Sequence, residues 1–178
     1  IRRAALEAAE GLQPQDLEGI LKETHDSTDS HTLRTWLKLI QQLPDDLSRP
    51  LLLKSIQPSF NASFRRAALK QLSISKTHLE DTKTTEAIID LFNDVLTDPA
   101  GLAIAAALSK RPSDKAFFAL TRVLGQNQVD ERIRLVAFDA LLSRNPPKLV
   151  EKLTELAQDE PSLDIRKKAA EELVLNHC

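Results

Sequence analysis

The sequence predicts an all-α protein, a right-handed superhelix built from antiparallel helix pairs. A short kernel recurs along the chain: an apolar residue, Arg, two variable positions and Ala. Its copies start at residues 1, 33, 64, 102, 133 and 165, and a repeat of this length is typical of stacked supersecondary units. Apolar residues around the kernels recur at spacings of three and four, and only four glycines occur, so no sheet is expected. The pattern predicts about five helical hairpins plus one unpaired terminal helix, in a single domain over residues 1–178.

The kernel is complete in four copies and degenerate in two, which begin at Leu33 and Leu102. We expect the last kernel position of every copy to be buried on the first helix of its pair. These positions are Ala5, Leu37, Ala68, Ala106, Ala137 and Ala169.

The first hairpin is predicted over residues 1–22. Gly11 ends its first helix, and Pro14 fits the first turn of the second, where the missing N–H is not needed. A polar loop over residues 24–31 then offers several N-caps for a helix over 32–43.

Proline and acidic residues mark the next helix. Pro44 stops the helix before it, and Asp45 or Asp46 is expected to cap it. Pro50 follows closely, so we expect it in a first turn or at a break.

The third repeat is the longest. Asn61 and Ser63 are candidate caps for its first helix. The link over residues 73–83 is rich in Ser, Thr and Lys and is predicted to be a loop, because insertions in repeat arrays map to loops. A helix over 84–97 follows.

Helices are predicted through the rest of the chain. The copy at residues 101–108 consists largely of small residues, so we expect it to lie deep in the stack. Gly125 stands where a left-handed residue ends a helix. The remaining helices are predicted over 114–124, 130–143, 147–157 and 163–175.

The composition fits a folded protein with an aliphatic core, since aromatic residues make up 4%. The net charge of −2 argues against nucleic acid as a partner, and no apolar run is long enough to span a bilayer. Cys178 is the only cysteine and no signal-peptide pattern opens the chain, which favours an intracellular, cytoplasmic location. Because Met is absent, we expect a fragment of a longer array.

The repeat resembles the HEAT family of armadillo-like α-solenoids. Asp-Ile-Arg-Lys-Lys-Ala-Ala at residues 164–170 carries the resemblance best, and residues 131–137 match nearly as well. The two degenerate copies depart from the family pattern, which leaves their register open. The resemblance implies a binding scaffold in which repeated Asp and Arg residues tie neighbouring repeats together. These residues are Asp130 and Asp164 with Arg134 and Arg166.

Two other functions stay open. Residues 33–55 and 140–147 are loosely similar to the helical domain of vitellogenin-type large lipid-transfer proteins, which implies lipid as a ligand in that alternative alone. Some HEAT-like proteins resemble chromophore lyases or DNA glycosylases, so an enzyme or enzyme subunit is the second alternative. A glycosylase needs aromatic and acidic residues converging in a basic groove, which one Trp, no Tyr and a net charge of −2 disfavour.

The kernel arginines are predicted to form a ladder along the first helices. Either they make a stripe that binds phosphate groups, or each guanidinium bonds an acid or a helix-end carbonyl of a neighbouring repeat. The adjacent acids and the near-neutral charge favour the structural role. The ladder comprises Arg2, Arg34, Arg65, Arg134 and Arg166.

The expected function is a non-enzymatic scaffold whose second helices line a concave surface that binds a protein or peptide. No phosphate-binding loop, nucleophile elbow or metal-binding helix motif occurs, so no catalytic residue and no cofactor is predicted. His25 and His31 share a loop without a third ligand, which favours solvated side chains over a metal site. The candidate contact residues are Glu18, Lys22, Asp90, Asn93, Arg122, Lys152 and Glu155.

Overall fold

The fold is all-α wherever the computed structural model describes the chain, at Asp16 and over residues 29–96 and 99–176. Residues 29–96 and 99–176 form ten α-helices and no strand, which confirms that the protein is all-α; the right-handed superhelix of helix pairs stays a prediction. The predicted first hairpin, with Ala5, lies outside the described residues, apart from the helical Asp16. The helices are α1 (Ser30–Gln42), α2 (Asp45–Ser55), α3 (Ala62–Leu72), α4 (Lys76–Glu80), α5 (Thr82–Asp94), α6 (Pro99–Ser109), α7 (Asp114–Thr121), α8 (Glu131–Arg144), α9 (Leu149–Asp159) and α10 (Leu163–Asn176).

The chain divides into two compact units, Ile1–Ala87 and Ile88–Cys178. The boundary falls inside α5. The prediction of one continuous solenoid domain stays a prediction.

In the first unit, α1 packs against α2 and α3, and α2 packs against α3 and α4. Trp36 on α1 meets Phe64 on α3 edge to face, with ring centroids 5.4 Å apart. Leu52, Ile56 and Leu72 are buried in the same unit. Most of these buried side chains are aliphatic, as the composition predicts.

In the second unit, α6 packs against α7 and α8, α7 against α8, and α9 against α10. Its fully buried side chains include Ile104, Leu120, Ile133, Phe138 and Leu153. The contacts α1–α3 and α6–α8 each join the first helices of consecutive repeats. Side-by-side first helices are what a stack of helix pairs requires.

Polar contacts between repeats join residues that are one repeat apart in the sequence. Such spacing results when equivalent positions of neighbouring repeats lie next to each other. The pairs are Arg49–Asp81 and Asp45–Ser75 in the first unit, and Asn93–Arg122, Asp114–Arg144 and Glu131–Ser162 in the second, 29 to 32 positions apart.

The motif Asp-x-x-Thr begins two helices. Asp29 Oδ2 accepts hydrogen bonds from the backbone N and the Oγ1 of Thr32, both at 2.8 Å. Asp81 Oδ2 accepts the same two bonds from Thr84, at 2.7 and 2.5 Å. The bonds from Thr32 lower the pKa of Asp29, because they stabilise its charged form. Each motif therefore fixes a helix start.

Two predicted caps of the first unit are wrong. Asp45 and Asp46 lie in the first turn of α2, and Pro44 takes the cap position without a side-chain bond. Asn61 caps α3, because its Oδ1 accepts the N–H of Ser63 and that of the next residue, both at 3.0 Å. Ser63 is therefore a residue of the first turn and not a cap.

Pro50 does not break its helix and does not lie in the first turn. It is the sixth residue of α2, which continues to Ser55. Pro50 is exposed, and its ring removes one backbone hydrogen bond. Leu51, Leu52 and Ile56 are buried beside it, so packing of this face holds the helix together.

The link over residues 73–83 is not a simple loop, because it contains α4. This short helix accounts for the extra length of the third repeat. Two residues with positive φ follow helices of the second unit. Asn145, in the left-handed conformation, ends α8, and Gly125 has the expected positive φ of 83°, although α7 ends earlier, at Thr121.

The register of the two degenerate kernels differs from the prediction by one residue. Ala68, Ala137 and Ala169 are buried as expected, but Leu37 and Ala106 are only half-buried. The buried residues are Trp36 and Ala105, one position earlier in each case. The buried positions now follow one another at steps of 32, 37, 32 and 32 residues, a more regular series than the predicted one.

Gly101 is the point of closest approach on α6. A Cβ atom there would lie 2.3 Å from the carbonyl oxygen of Val95 and 2.8 Å from Cδ1 of Ile133. A backbone oxygen cannot yield as a flexible side chain can, so the position requires glycine.

We therefore expect Gly101→Ala to destabilise the protein, although Gly→Ala inside a helix normally stabilises by up to about 1 kcal/mol. The clash should lower the free energy of unfolding by about 1–3 kcal/mol, as overpacking does. Urea denaturation followed by circular dichroism measures the change.

Ser109→Ala, an exposed change at the end of the same helix, serves as the control and should stay within about 0.5 kcal/mol of the wild type. An equally or more stable Gly101→Ala protein would contradict the close approach.

Candidate binding groove

Arg134 and Glu160 form an ion pair in the interior of the second unit. Arg134 Nε donates to Glu160 Oε1 at 2.7 Å, and the two side chains are 6% and 0% exposed. Glu160 Oε2 accepts the N–H of Gly125 at 2.7 Å, and Arg134 Nη1 donates to the carbonyls of Gln126 and Val129. The pair thus joins the end of α9 to the loop that precedes α8.

Arg166 binds its own preceding loop in a similar way. Its Nη1 donates to the carbonyl oxygens of Glu160 at 2.5 Å and Pro161 at 3.2 Å. Arg134 and Arg166 each bond the carbonyl five positions earlier, that of Val129 and that of Pro161. These guanidinium groups hold backbone carbonyls in place. Of the other predicted ladder residues, Arg65 is half-buried, whereas Arg2 and the side chain of Arg34 lie outside the described part.

Asp130, which the family resemblance assigns to contacts between repeats, bonds Arg132. Asp130 caps α8 by accepting the N–H of Arg132 at 2.8 Å, and it also accepts from Nε and Nη2 of Arg132 at 3.1 and 2.7 Å. These hydrogen bonds hold the pKa of Asp130 below its usual value and raise the pKa of Arg132. The family resemblance implies that Asp130 ties neighbouring repeats together, whereas these hydrogen bonds go to Arg132 in the same repeat, and Arg134 bonds Glu160.

The predicted contact residues do not form one cluster. Arg122 donates to Asn93, and Lys152 pairs with Glu155 at 2.9 Å along α9. Asp90 is exposed on α5. Glu18 and Lys22 lie outside the described residues. Asn93 and Arg122 thus form one pair, and Lys152 and Glu155 form another.

A groove does occur on the second unit, where the ends of α6 and α8 lie close to the beginning of α7. It consists of two adjoining cavities of about 510 and about 600 Å³ that share Phe117 and Arg144 in their walls. The first cavity is lined by residues 106, 108–112, 117, 120, 136, 139, 140, 143 and 144. The second is lined by residues 114, 117, 118 and 144–148.

Arg144 is held at the centre of this groove. Its Nη1 donates to Asp114 Oδ1 at 2.7 Å, and its Nη2 donates to the carbonyl of Arg111 at 3.4 Å. The guanidinium also lies over the ring of Phe117, 5.4 Å from the centroid, within the range of a cation–π interaction. Asn145, the left-handed residue after α8, then turns the chain into Pro146.

Phe118 is the most unusual side chain of the groove, because it is 65% exposed. Its ring lies 5.7 Å from that of Phe117, which is half-buried. Large exposed apolar side chains beside a cavity are typical of binding surfaces. Arg144 and Phe118 were not predicted as site residues. The adjacent Phe residues were a usable signal, because neighbouring helix positions point about 100° apart and two large rings there are hard to bury together on one side of a helix.

The buried histidine of the first unit does not form a catalytic relay. Nε2 of His78 lies 3.4 Å from Ser48 Oγ and 3.6 Å from Asp45 Oδ1. Both neighbours approach the same ring nitrogen, whereas a Ser–His–Asp relay places the acid on the other one. The described residues contain no group of three His, Cys, Asp or Glu side chains suited to a metal ion. Nor do they contain a helix that is long and apolar enough to cross a membrane.

Comparison of this chain with protein-family models, with curated proteins and with solved structures found no match.

Arg134 and Arg132 offer a matched test of burial on one helix. Each has an acidic partner at 2.7 Å, but the Arg134 side chain is 6% exposed and the Arg132 side chain 60%. Arg134→Ala leaves Glu160 charged and buried, so it should cost about 3–5 kcal/mol of unfolding free energy. Arg132→Ala removes an exposed pair and should cost at most about 1 kcal/mol.

Chemical denaturation of both variants measures the difference. Similar losses in the two variants would show that the buried pair has no special role in stability.

Proposed function

We propose that this chain is part of a HEAT-like α-solenoid that acts as a non-enzymatic scaffold and binds a protein or peptide in the groove of α6, α7 and α8. The exposed ring of Phe118 at the edge of a cavity is the observation that carries the proposal. An exposed large apolar side chain beside a pocket marks a surface for interaction, and aromatic side chains are among those that anchor an interface once a partner covers them.

The solenoid part of the proposal is supported by the repeat spacing. First helices of consecutive repeats lie side by side in each unit, and their buried positions follow at steps of 32, 37, 32 and 32 residues. Polar contacts join residues 29 to 32 positions apart. A chain of this kind presents long surfaces for partners.

The binding part of the proposal is supported by the different surroundings of the arginines. Arg134 and Arg166 bond backbone carbonyls, so they are engaged within the chain. Arg144 also bonds a carbonyl and the exposed Asp114, but it lies at the surface of a cavity with the ring of Phe117 beside it. The groove also includes α7, which is the second helix of its repeat. The sequence predicts that second helices line the binding surface.

A random-peptide display selection on the wild-type protein tests the proposal. We expect the selected peptides to lose at least about tenfold in affinity for Phe118→Ala, because truncating a central aromatic anchor commonly costs about 2 kcal/mol or more. Fluorescence anisotropy measures the dissociation constants.

Val150→Ala is the matched control, since Val150 is an exposed apolar residue on α9 that lies outside both cavities. Its affinity should equal that of the wild type. A selection without enriched peptides, or peptides that bind both variants equally well, would contradict the proposal.

A further inference from the structure

The groove collects positive charge in a chain that has a net charge of −2. Two carboxylates, those of Asp114 and Asp139, line the two cavities. Four cationic residues also line the cavities: Lys110, Arg111, Arg144 and Lys148. The local excess is therefore two positive charges, opposite in sign to the whole protein.

Arg144 retains hydrogen-bonding capacity. A guanidinium has five N–H donors, and Arg144 donates through one Nη1 and one Nη2 hydrogen to Asp114 and to a backbone carbonyl. Its side chain is 32% exposed, and that of Asp114 is 81% exposed. An ion pair so open to water contributes little stability, so another carboxylate can replace Asp114 at low cost.

Lys110 and Lys148 add charge at the two ends of the groove. Lys110 is exposed, and its ammonium makes no ion pair within the described residues. Lys148 pairs with Glu151 at 3.6 Å, with both side chains largely exposed. Rim charges of this kind favour the approach of an oppositely charged partner.

The second cavity supplies an apolar surface next to these charges. Phe117, Phe118, Pro146 and Pro147 line it together with Arg144. A free anion would use the cations but not this surface. A peptide that carries a large apolar side chain close to carboxylates would use both.

We propose that the groove binds acidic peptide segments, in which a Phe or Leu side chain packs against Phe118 and a neighbouring carboxylate displaces Asp114 from Arg144. This inference rests on the proposed function and adds the chemical class of the partner. The carboxylate forms charge-assisted hydrogen bonds with the guanidinium, whose planar fork matches it.

Three labelled peptides of twelve residues provide the probes. The first alternates Glu or Asp with Phe or Leu, the second has Gln and Asn in place of the acids, and the third has Lys. Fluorescence anisotropy at low and at physiological salt measures each affinity for the wild-type protein.

The acidic peptide should bind at least about tenfold more tightly than its amide counterpart, and added salt should reduce this difference because it screens exposed charges. Lys110→Gln and Arg144→Gln should each weaken binding of the acidic peptide about threefold to tenfold. Lys110 is exposed, so its variant tests the charge even if Arg144→Gln folds poorly.

Asp114→Asn gives the sharpest test, because it removes the carboxylate with which the peptide competes. It should strengthen binding of the acidic peptide about threefold or more and leave binding of the amide peptide unchanged. Lys167→Gln, an exposed change on α10 outside both cavities, should have no effect on either peptide.

The outcomes separate this inference from the proposed function. Acidic and amide peptides of equal affinity, both weakened by Phe118→Ala, would overturn the acidic specificity and leave the groove as a binding site. Weakening of neither peptide by Phe118→Ala would count against both. Tighter binding of a single-stranded oligonucleotide than of the acidic peptide would show that the groove recognises phosphates instead.

Discussion

Close contact between consecutive first helices is the constraint on which the rest of the fold depends. In the second unit α6 and α8 touch, and the space at Gly101 is filled by the carbonyl of Val95 and the side chain of Ile133. Small buried residues at Ala105 and Ala137 serve the same contact. With larger side chains the helices would separate, and the loops at their ends would lose the polar contacts that are one repeat apart.

Those loops are fixed by hydrogen bonds rather than by burial alone. The ion pair of Arg134 and Glu160 satisfies both charges, and Glu160 also accepts the N–H of Gly125. A buried charge without such partners would cost several kcal/mol. The same carboxylate also bonds the N–H of Ser162, at 3.3 Å, so a single acid orders the chain before α8 and before α10. The positions of α7 and α8 at the groove follow from these links.

The sequence predicts the helices well because apolar periodicity and Pro, Gly and Asp signals are local. It places α1, α3 and α8 within two residues of their observed ends. It places the buried position of the second repeat at Leu37 instead of Trp36. The apolar Leu33 matches the first residue of the kernel, but in the structure the buried Thr32 takes that place. It also misses the partner of Arg134, since no local pattern identifies Glu160, which is 26 residues away. The groove depends on three helices meeting, so only the adjacent Phe117 and Phe118 hint at it.

One wall of the groove is stiff for a reason that lies in its backbone. After α8 the chain passes through a left-handed Asn145 and then Pro146 and Pro147, and the proline rings restrict rotation about their N–Cα bonds. A ligand that docks here does not need to order this segment, because the segment has few alternative conformations to lose. The entropic cost of association therefore falls mainly on the ligand, which favours partners that are themselves short or already extended.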